Sequence, residues 1–173
     1  SEGIKSFFRL KPIAPEIAER RYDDALEVSV NGNGNLLLIN VVEQENYIAG
    51  VVQSETWGAT KNIDFFKVQA ICCRNYLFRN MNKHSKDGYH LCDDVHCQAY
   101  KTRANQAEVT EGAYKSRGEI IVDENGEFIN TPEGRFLNPG HSLETAWFLM
   151  KEAEIKKDKN LLLFVYFGVI ILL

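Results

Sequence analysis

Three groups of side chains in this sequence have the types and spacing that chemistry requires. The first is Glu55, which lies beside Trp57 at the end of a predicted helix. Partial burial of a carboxyl group raises its pKa, which is what a general acid near neutral pH needs. Most glutamates are solvated, so an exposed Glu55 without a function is the alternative interpretation.

The second group lies within eight residues and consists of His90, Cys92, His96 and Cys97. Zinc takes thiolate and imidazole ligands in tetrahedral geometry, although here a single loop would have to wrap the ion. A short Cys92–Cys97 disulfide or two free thiols are the alternatives. Cys72 and Cys73 lie on a strongly periodic helix, where we expect them to be buried packing residues.

The third group is His141 with Glu144, which follow a proline and a glycine. This spacing could present both side chains at the N-terminus of a helix. An ordinary helix start with a polar pair one turn apart is the alternative.

Local patterns predict the elements that must position these groups. Alternating residues 25–30, a turn at Asn31-Gly32-Asn33-Gly34 and the β-rich run 36–42 predict a hairpin. Helices are predicted over residues 43–53, 62–80, 105–116 and 141–156. The first carries Ile48, Val51, Val52 and Glu55 on or beside one stripe, and the second carries Ile63, Phe66, Ala70, Cys73 and Leu77. A second hairpin is predicted over residues 119–122 and 127–129.

Composition limits the classes of function. The chain has 173 residues, of which 45% are hydrophobic and 25% charged, as expected for a globular domain. With the predicted strands and helices, this favours an α+β fold that combines a small antiparallel β portion with packed helices. The net charge of -4 offers no basic excess for a phosphate backbone, so we expect no nucleic-acid partner.

Both ends of the sequence are unusual. No basic-then-apolar targeting segment precedes the first polar stretch. Residues 161–173 form an apolar tail that is shorter than the ~20 residues needed to span a bilayer. A buried helix or strand is one interpretation of this tail, and a truncated membrane anchor or foreign sequence is the other.

Several segments, in order, resemble the domain shared by stage II sporulation protein D and the LytB amidase enhancers. LLLINVVEQENYIAGVV at residues 36–52, followed by Glu55, resembles NVVPLEDYLYGVVPSEM. KVQAICCRNY at residues 67–76 resembles KAQAVAARTYA, LCDDVHCQAY at residues 91–100 resembles CDTTHCQVY, and RGEI at residues 117–120 resembles RGEVL. The resemblance covers about residues 7–129, so a truncated domain of this type is expected over residues 1–130.

The resemblance implies a peptidoglycan lytic transglycosylase of the cell envelope that cleaves MurNAc–GlcNAc bonds. Glu55 would be the catalytic glutamate, Arg74 would orient substrate or stabilise charge, and Gln69 and Tyr100 would bind substrate. The histidine and cysteine loop is implied to bind zinc, as in some members of the family. The alternative is a non-catalytic amidase enhancer, which would grip glycan strands and activate a cell-wall amidase.

The sequence departs from that family after residue 130. The Ser/Thr- and Gly-rich element of the family, FHSTSGGRT, has no counterpart, so we expect impaired activity. Residues 134–150, GRFLNPGHSLETAWFLM, are instead similar to N-acylglucosamine 2-epimerases. There His141 would act in proton transfer, and a sugar-epimerase fragment is a further alternative. About thirty residues cannot build the (α/α)6 barrel of that family, so residues 131–160 are expected to be a helical fragment without function.

Overall fold

The computed structural model describes residues 6–14, 16–57, 60–122 and 126, and within them the protein is an α+β mix. Two antiparallel strand pairs precede three α-helices. The strands are β1 (Phe7–Leu10), β2 (Arg20–Asp23), β3 (Ala25–Val30) and β4 (Leu36–Val41). The helices are α1 (Gln44–Thr56), α2 (Ile63–Asn80) and α3 (Ala107–Lys115), with a short 3₁₀ turn at Ser85–Asp87 between α2 and α3.

The first predicted hairpin is confirmed as the pair β3–β4, whose ends are joined in the register Val30↔Leu36 and Ala25↔Val41. Its turn is held by Asn31, whose side-chain Oδ1 accepts from the backbone N–H groups of Asn33 and Asn35, each at 3.0 Å. Gly34 has φ 79°, a conformation that glycine adopts without steric cost.

The pair β1–β2 is not among the predicted elements. Each strand has only four residues, and arginines interrupt the apolar alternation that marks a strand. The rings of the cross-strand partners Phe8 and Tyr22 pack with centroids 5.6 Å apart, and Tyr22 also packs on the distant Tyr100 at 5.3 Å.

The three helices supply most of the core. The predicted stripes are confirmed, since Ile48, Val51 and Val52 on α1 and Phe66 and Ala70 on α2 are fully buried or nearly so. From α3 the core takes Val109 and Ala113. Their burial is the main stabilising contribution, because each large apolar side chain removed from water gives about 1.5–3 kcal/mol.

Glycine allows the closest helix contact. A Cβ on Gly112 of α3 would lie 2.6 Å from Phe66 Cβ and 3.0 Å from the Lys67 backbone nitrogen on α2. Real Cβ atoms do not approach so closely, so α2 and α3 pack backbone to backbone at this point.

Several predictions lie outside the described residues. They are the helix over residues 141–156, with His141 and Glu144, the second strand of the later hairpin, and the proposed fragments 131–160 and 161–173. Of the later hairpin, only residues 119–122 are described, with Val122 in a single β-bridge. In the described part of the chain, no helix combines the length and the apolar character of a membrane span.

Candidate active site

Glu55 lies in the last turn of α1, which continues three residues beyond its predicted end. The hydroxyls of Ser54 and Thr56 each donate to the carbonyl four residues earlier, at 2.7 and 2.8 Å, and so fit the helix instead of ending it. The helix ends at Thr56, and Trp57, which follows it, has a left-handed backbone with φ 51° and is 83% exposed. Glu55 therefore sits at a rigid helix end next to an exposed aromatic ring.

Two side chains of α2 hold the Glu55 carboxyl group. Gln69 Nε2 donates to Oε2 at 3.3 Å, and Cys73 Sγ donates to the same oxygen at 3.5 Å. The two donors lie four residues apart, so a single face of α2 presents both. The resemblance predicts that Gln69 binds substrate, and in this structure its amide contacts Glu55.

Burial raises the pKa of Glu55 from its ordinary value near 4.5 to about 8, although the hydrogen bonds from Cys73 and Gln69 act in the opposite direction. The carboxyl group is therefore largely protonated at neutral pH, and it keeps some exposed surface. A protonated carboxyl group that reaches solvent is equipped to act as a general acid.

A second layer of hydrogen bonds supports this arrangement. Tyr47 on α1 donates its hydroxyl to Gln98 Oε1 at 3.2 Å, and Gln98 Nε2 donates to the Cys73 backbone carbonyl at 3.3 Å. Gln98 is buried and directly follows Cys97. The loop that carries the cysteines is thus connected to the helix that holds Glu55.

Arg74 does not occupy the position expected for a catalytic residue. Its side chain is fully buried and forms a 2.6 Å ion pair with Glu45 on α1. It also donates to the backbone carbonyls of Ala113 at 3.2 Å and Glu119 at 3.0 Å. Since one helical residue turns about 100° from the next, Arg74 points into the core while Cys73 reaches Glu55. With no exposed surface, Arg74 cannot contact a glycan in this structure.

Tyr100, for which the resemblance predicts substrate binding, lies in a buried and hydrogen-bonded environment. It is only 5% exposed, and its hydroxyl donates to Asn40 Oδ1 at 2.8 Å. Its ring packs against Tyr22 and Tyr47, with centroids 5.3 and 4.9 Å away. The residue connects the strands to α1.

A cleft of about 990 Å³ lies away from Glu55. It opens between β4 and the end of α2, and its lining includes Asn40, Leu77, His90 and Tyr100. Neither Glu55 nor Gln69 lines it.

The histidine and cysteine loop brings four potential ligands together, but one of them differs from the sequence prediction. The ligand atoms of His84, Cys92, His96 and Cys97 all lie within 4.8 Å of one another. His90 is not part of this group, and His84 takes its place. Spacing along the chain favoured His90, whereas the fold brings His84 back because its N–H donates to the His90 carbonyl at 3.3 Å.

The donor set and its surroundings fit a zinc ion. His84 Nε2 is buried and has no hydrogen-bond partner among the described residues, while Nδ1 lies 3.3 Å from Asp87 Oδ2. A carboxylate on the far nitrogen of a histidine is the usual support for a metal ligand. Cys92 and Cys97 are free thiols in this structure, each within 3.8 Å of His96 Nδ1.

The site also contains four residues for which the sequence predicts no role there: Cys73, Gln98, His84 and Asp87. The spacing of the sequence does indicate a site position for Cys73, because this residue lies one turn from Gln69 on the helix that packs against α1. His84 and Asp87 are separated from the cysteines by a loop whose path the local sequence does not specify.

Comparison with known proteins finds a match to one protein family. No curated protein and no solved structure matches the chain significantly. The sequence model of the SpoIID family, described as stage II sporulation protein, matches residues 32–123. This range is more than half of the chain and contains Glu55, Gln69, Cys73 and the four potential zinc ligands, but it ends before the epimerase-like stretch. The chain therefore belongs to the SpoIID family of stage II sporulation proteins.

Proposed function

We propose that this protein is a lytic transglycosylase-like domain that cleaves MurNAc–GlcNAc bonds of peptidoglycan with Glu55 as its general acid and base. The observation that carries the proposal is the state of Glu55: a carboxyl group held by two donors, with a pKa raised by burial to about 8. Its neighbour Trp57 offers an exposed ring beside it, which could stack on a sugar.

The proposed reaction needs one recycling carboxyl group. Protonated Glu55 gives its proton to the glycosidic oxygen, the bond between MurNAc C1 and that oxygen breaks, and GlcNAc leaves with a free hydroxyl. The resulting carboxylate then takes the proton of the MurNAc C6 hydroxyl, whose oxygen bonds to C1 and closes a 1,6-anhydro ring. No water is consumed, so a second carboxylate to activate water is unnecessary, in contrast to most glycoside hydrolases.

The test compares the full chain with Glu55→Gln on peptidoglycan glycan strands stripped of stem peptides. The amide keeps the shape of the side chain but cannot cycle a proton, so cleavage should fall by roughly 10²–10⁴-fold. Circular dichroism of both proteins shows whether the fold is kept. Near wild-type cleavage by a folded Glu55→Gln protein would contradict the assignment.

The second candidate function is a non-catalytic amidase enhancer. The exposed Trp57 favours glycan binding equally well in this case, since stacking requires no proton transfer. Glycan binding that survives in Glu55→Gln, together with stimulation of a cell-wall amidase and no cleavage by the wild type, would favour this function. Either function would require the protein to act in the cell envelope, where peptidoglycan lies.

We also propose that His84, Cys92, His96 and Cys97 hold a structural zinc ion. Four-coordinate zinc with thiolate and imidazole ligands contributes folding free energy, which here would fix the loop that ends in Gln98. Support comes from the unpartnered His84 Nε2 and the Asp87 carboxylate behind it.

Elemental analysis of two matched variants tests the zinc proposal. His84→Ala should lose zinc, whereas His90→Ala should keep it. Titration of thiols in the denatured protein, prepared without reductant, separates the alternatives. Two titrating thiols without zinc would indicate a Cys92–Cys97 disulfide. Four titrating thiols without zinc would refute both the zinc site and the disulfide.

A further inference from the structure

The two oxygens of the Glu55 carboxyl group have different surroundings. Oε2 accepts from both Gln69 Nε2 and Cys73 Sγ, while Oε1 has no hydrogen-bond partner in the described part of the chain. A carboxylic acid has one hydroxyl oxygen and one carbonyl oxygen. The surroundings therefore determine which oxygen carries the proton.

In this contact the Cys73 thiol donates to Oε2, and its sulfur is only a weak acceptor. The thiol is fully buried, and burial raises its pKa well above the ordinary value, so it keeps its proton at every pH at which Glu55 titrates. A proton on Oε2 would point at the S–H and N–H groups that already bind this oxygen. A proton on Oε1 meets no such conflict.

The other titratable groups at this site are neutral as well. Burial raises the pKa of Tyr47 on α1 and raises that of Cys72 on α2 to about 11. Hydrogen bonds from neutral donors, rather than a charged neighbour, therefore differentiate the two oxygens.

We infer that Cys73 is a positioning residue whose thiol, together with the Gln69 amide, keeps Oε2 of Glu55 as a hydrogen-bond acceptor and leaves the catalytic proton on Oε1. The inference rests on the proposed role of Glu55 as the acid. The thiol is not part of the general family pattern, because the motif that residues 67–76 resemble has alanine at both cysteine positions. Cys73→Ala is therefore expected to fold.

The test is the titration of Glu55 in the full chain, followed by infrared difference spectroscopy against Glu55→Gln. Removal of one donor destabilises the carboxylate, so Cys73→Ala should raise the midpoint by about half a pH unit to one unit. In the protonated form, the carbonyl stretch should move to higher frequency because its oxygen loses a hydrogen bond. Cys73→Ser supplies a hydroxyl donor and should return both the titration midpoint of Glu55 and its carbonyl stretching frequency toward the wild-type values.

Cys72→Ala is the matched control, since Cys72 is the adjacent thiol with no hydrogen bond to Glu55. It should leave the midpoint and the stretch unchanged. Equal shifts in Cys72→Ala and Cys73→Ala, or no shift in Cys73→Ala, would overturn the inference. A wild type that titrates as expected but forms no anhydro sugar would overturn the proposed function and leave the hydrogen-bond assignment standing.

Discussion

At the scale of single residues, the site depends on a carboxyl group kept where its charged form is unfavourable. Glu55 is partly buried against α2, and two uncharged donors among the described residues compensate for its ionisation. The same burial that makes it an acid near neutral pH lowers the stability of the fold once the group ionises. Catalytic groups commonly show this conflict between stability and activity.

The first prediction follows from the titration of Glu55. Well below pH 4.5, both the folded and the unfolded chain hold the proton, so burial carries no cost of ionisation. Between pH 4.5 and about 8 the unfolded chain loses the proton while the folded chain keeps it, so stability falls as the pH rises through this window. The Glu55→Gln protein has no ionisable group at this position, so its stability lacks this dependence on pH.

We therefore expect Glu55→Gln to be more stable than the wild type at about pH 9, by up to about 5 kcal/mol, which corresponds to the whole pKa shift. The two proteins should be close in stability near pH 4. Urea unfolding at both pH values measures this difference. A constant difference between the proteins at all pH values would mean that Glu55 does not have a raised pKa.

At the scale of elements, the three helices are joined through Arg74. It pairs with Glu45 on α1, and its guanidinium donates to the carbonyl of Ala113 on α3. A buried charge that loses its partner is far more costly than a surface charge. Arg74 thus stabilises the packing of the three helices from within the core.

The second prediction is that Glu45→Gln destabilises the protein by about 3–5 kcal/mol, because the Arg74 charge stays buried without its counter-ion. Lys115→Ala is the matched control. It removes an exposed ion pair with Glu111 and should cost less than about 1 kcal/mol. Denaturant unfolding compares the two, and similar losses would show that the buried pair has no special role.

The third prediction concerns Gly112 in α3. In an open helix, Gly→Ala stabilises by roughly 0.5–1 kcal/mol through the entropy of the unfolded chain. Here the new methyl group would lie 2.6 Å from Phe66 Cβ, and overpacking of this kind costs about 1–3 kcal/mol. We therefore expect Gly112→Ala to be destabilising in thermal unfolding. A gain in stability would show that α2 and α3 are not in backbone contact.

At the scale of the whole molecule, the sequence predicts what local patterns determine. The hairpin β3–β4 follows from alternation and turn residues, and α1, α2 and α3 follow from their apolar periodicity. The pair β1–β2 could not be predicted, because its packing depends on the distant Tyr100, against which Tyr22 lies.

The residues of the site likewise fall into those that local sequence patterns predict and those that depend on contacts between distant segments. Glu55 could be named because its motif is local, and so could three of the four potential zinc ligands. The burial of Arg74 could not be foreseen, since its partner Glu45 is 29 residues away. Likewise, His84 joins the cysteines only through the path of a loop. Pairings between distant segments depend on how the elements pack, and a single sequence does not reveal them.

The central claim is that Glu55 cleaves glycan strands without water. The most direct measurement is mass spectrometry of the products formed by the full chain in water labelled with heavy oxygen. The account predicts 1,6-anhydroMurNAc ends that carry no label and are lighter by one water than hydrolysis products, with none formed by Glu55→Gln. Labelled reducing ends, or anhydro ends formed equally by Glu55→Gln, would contradict it.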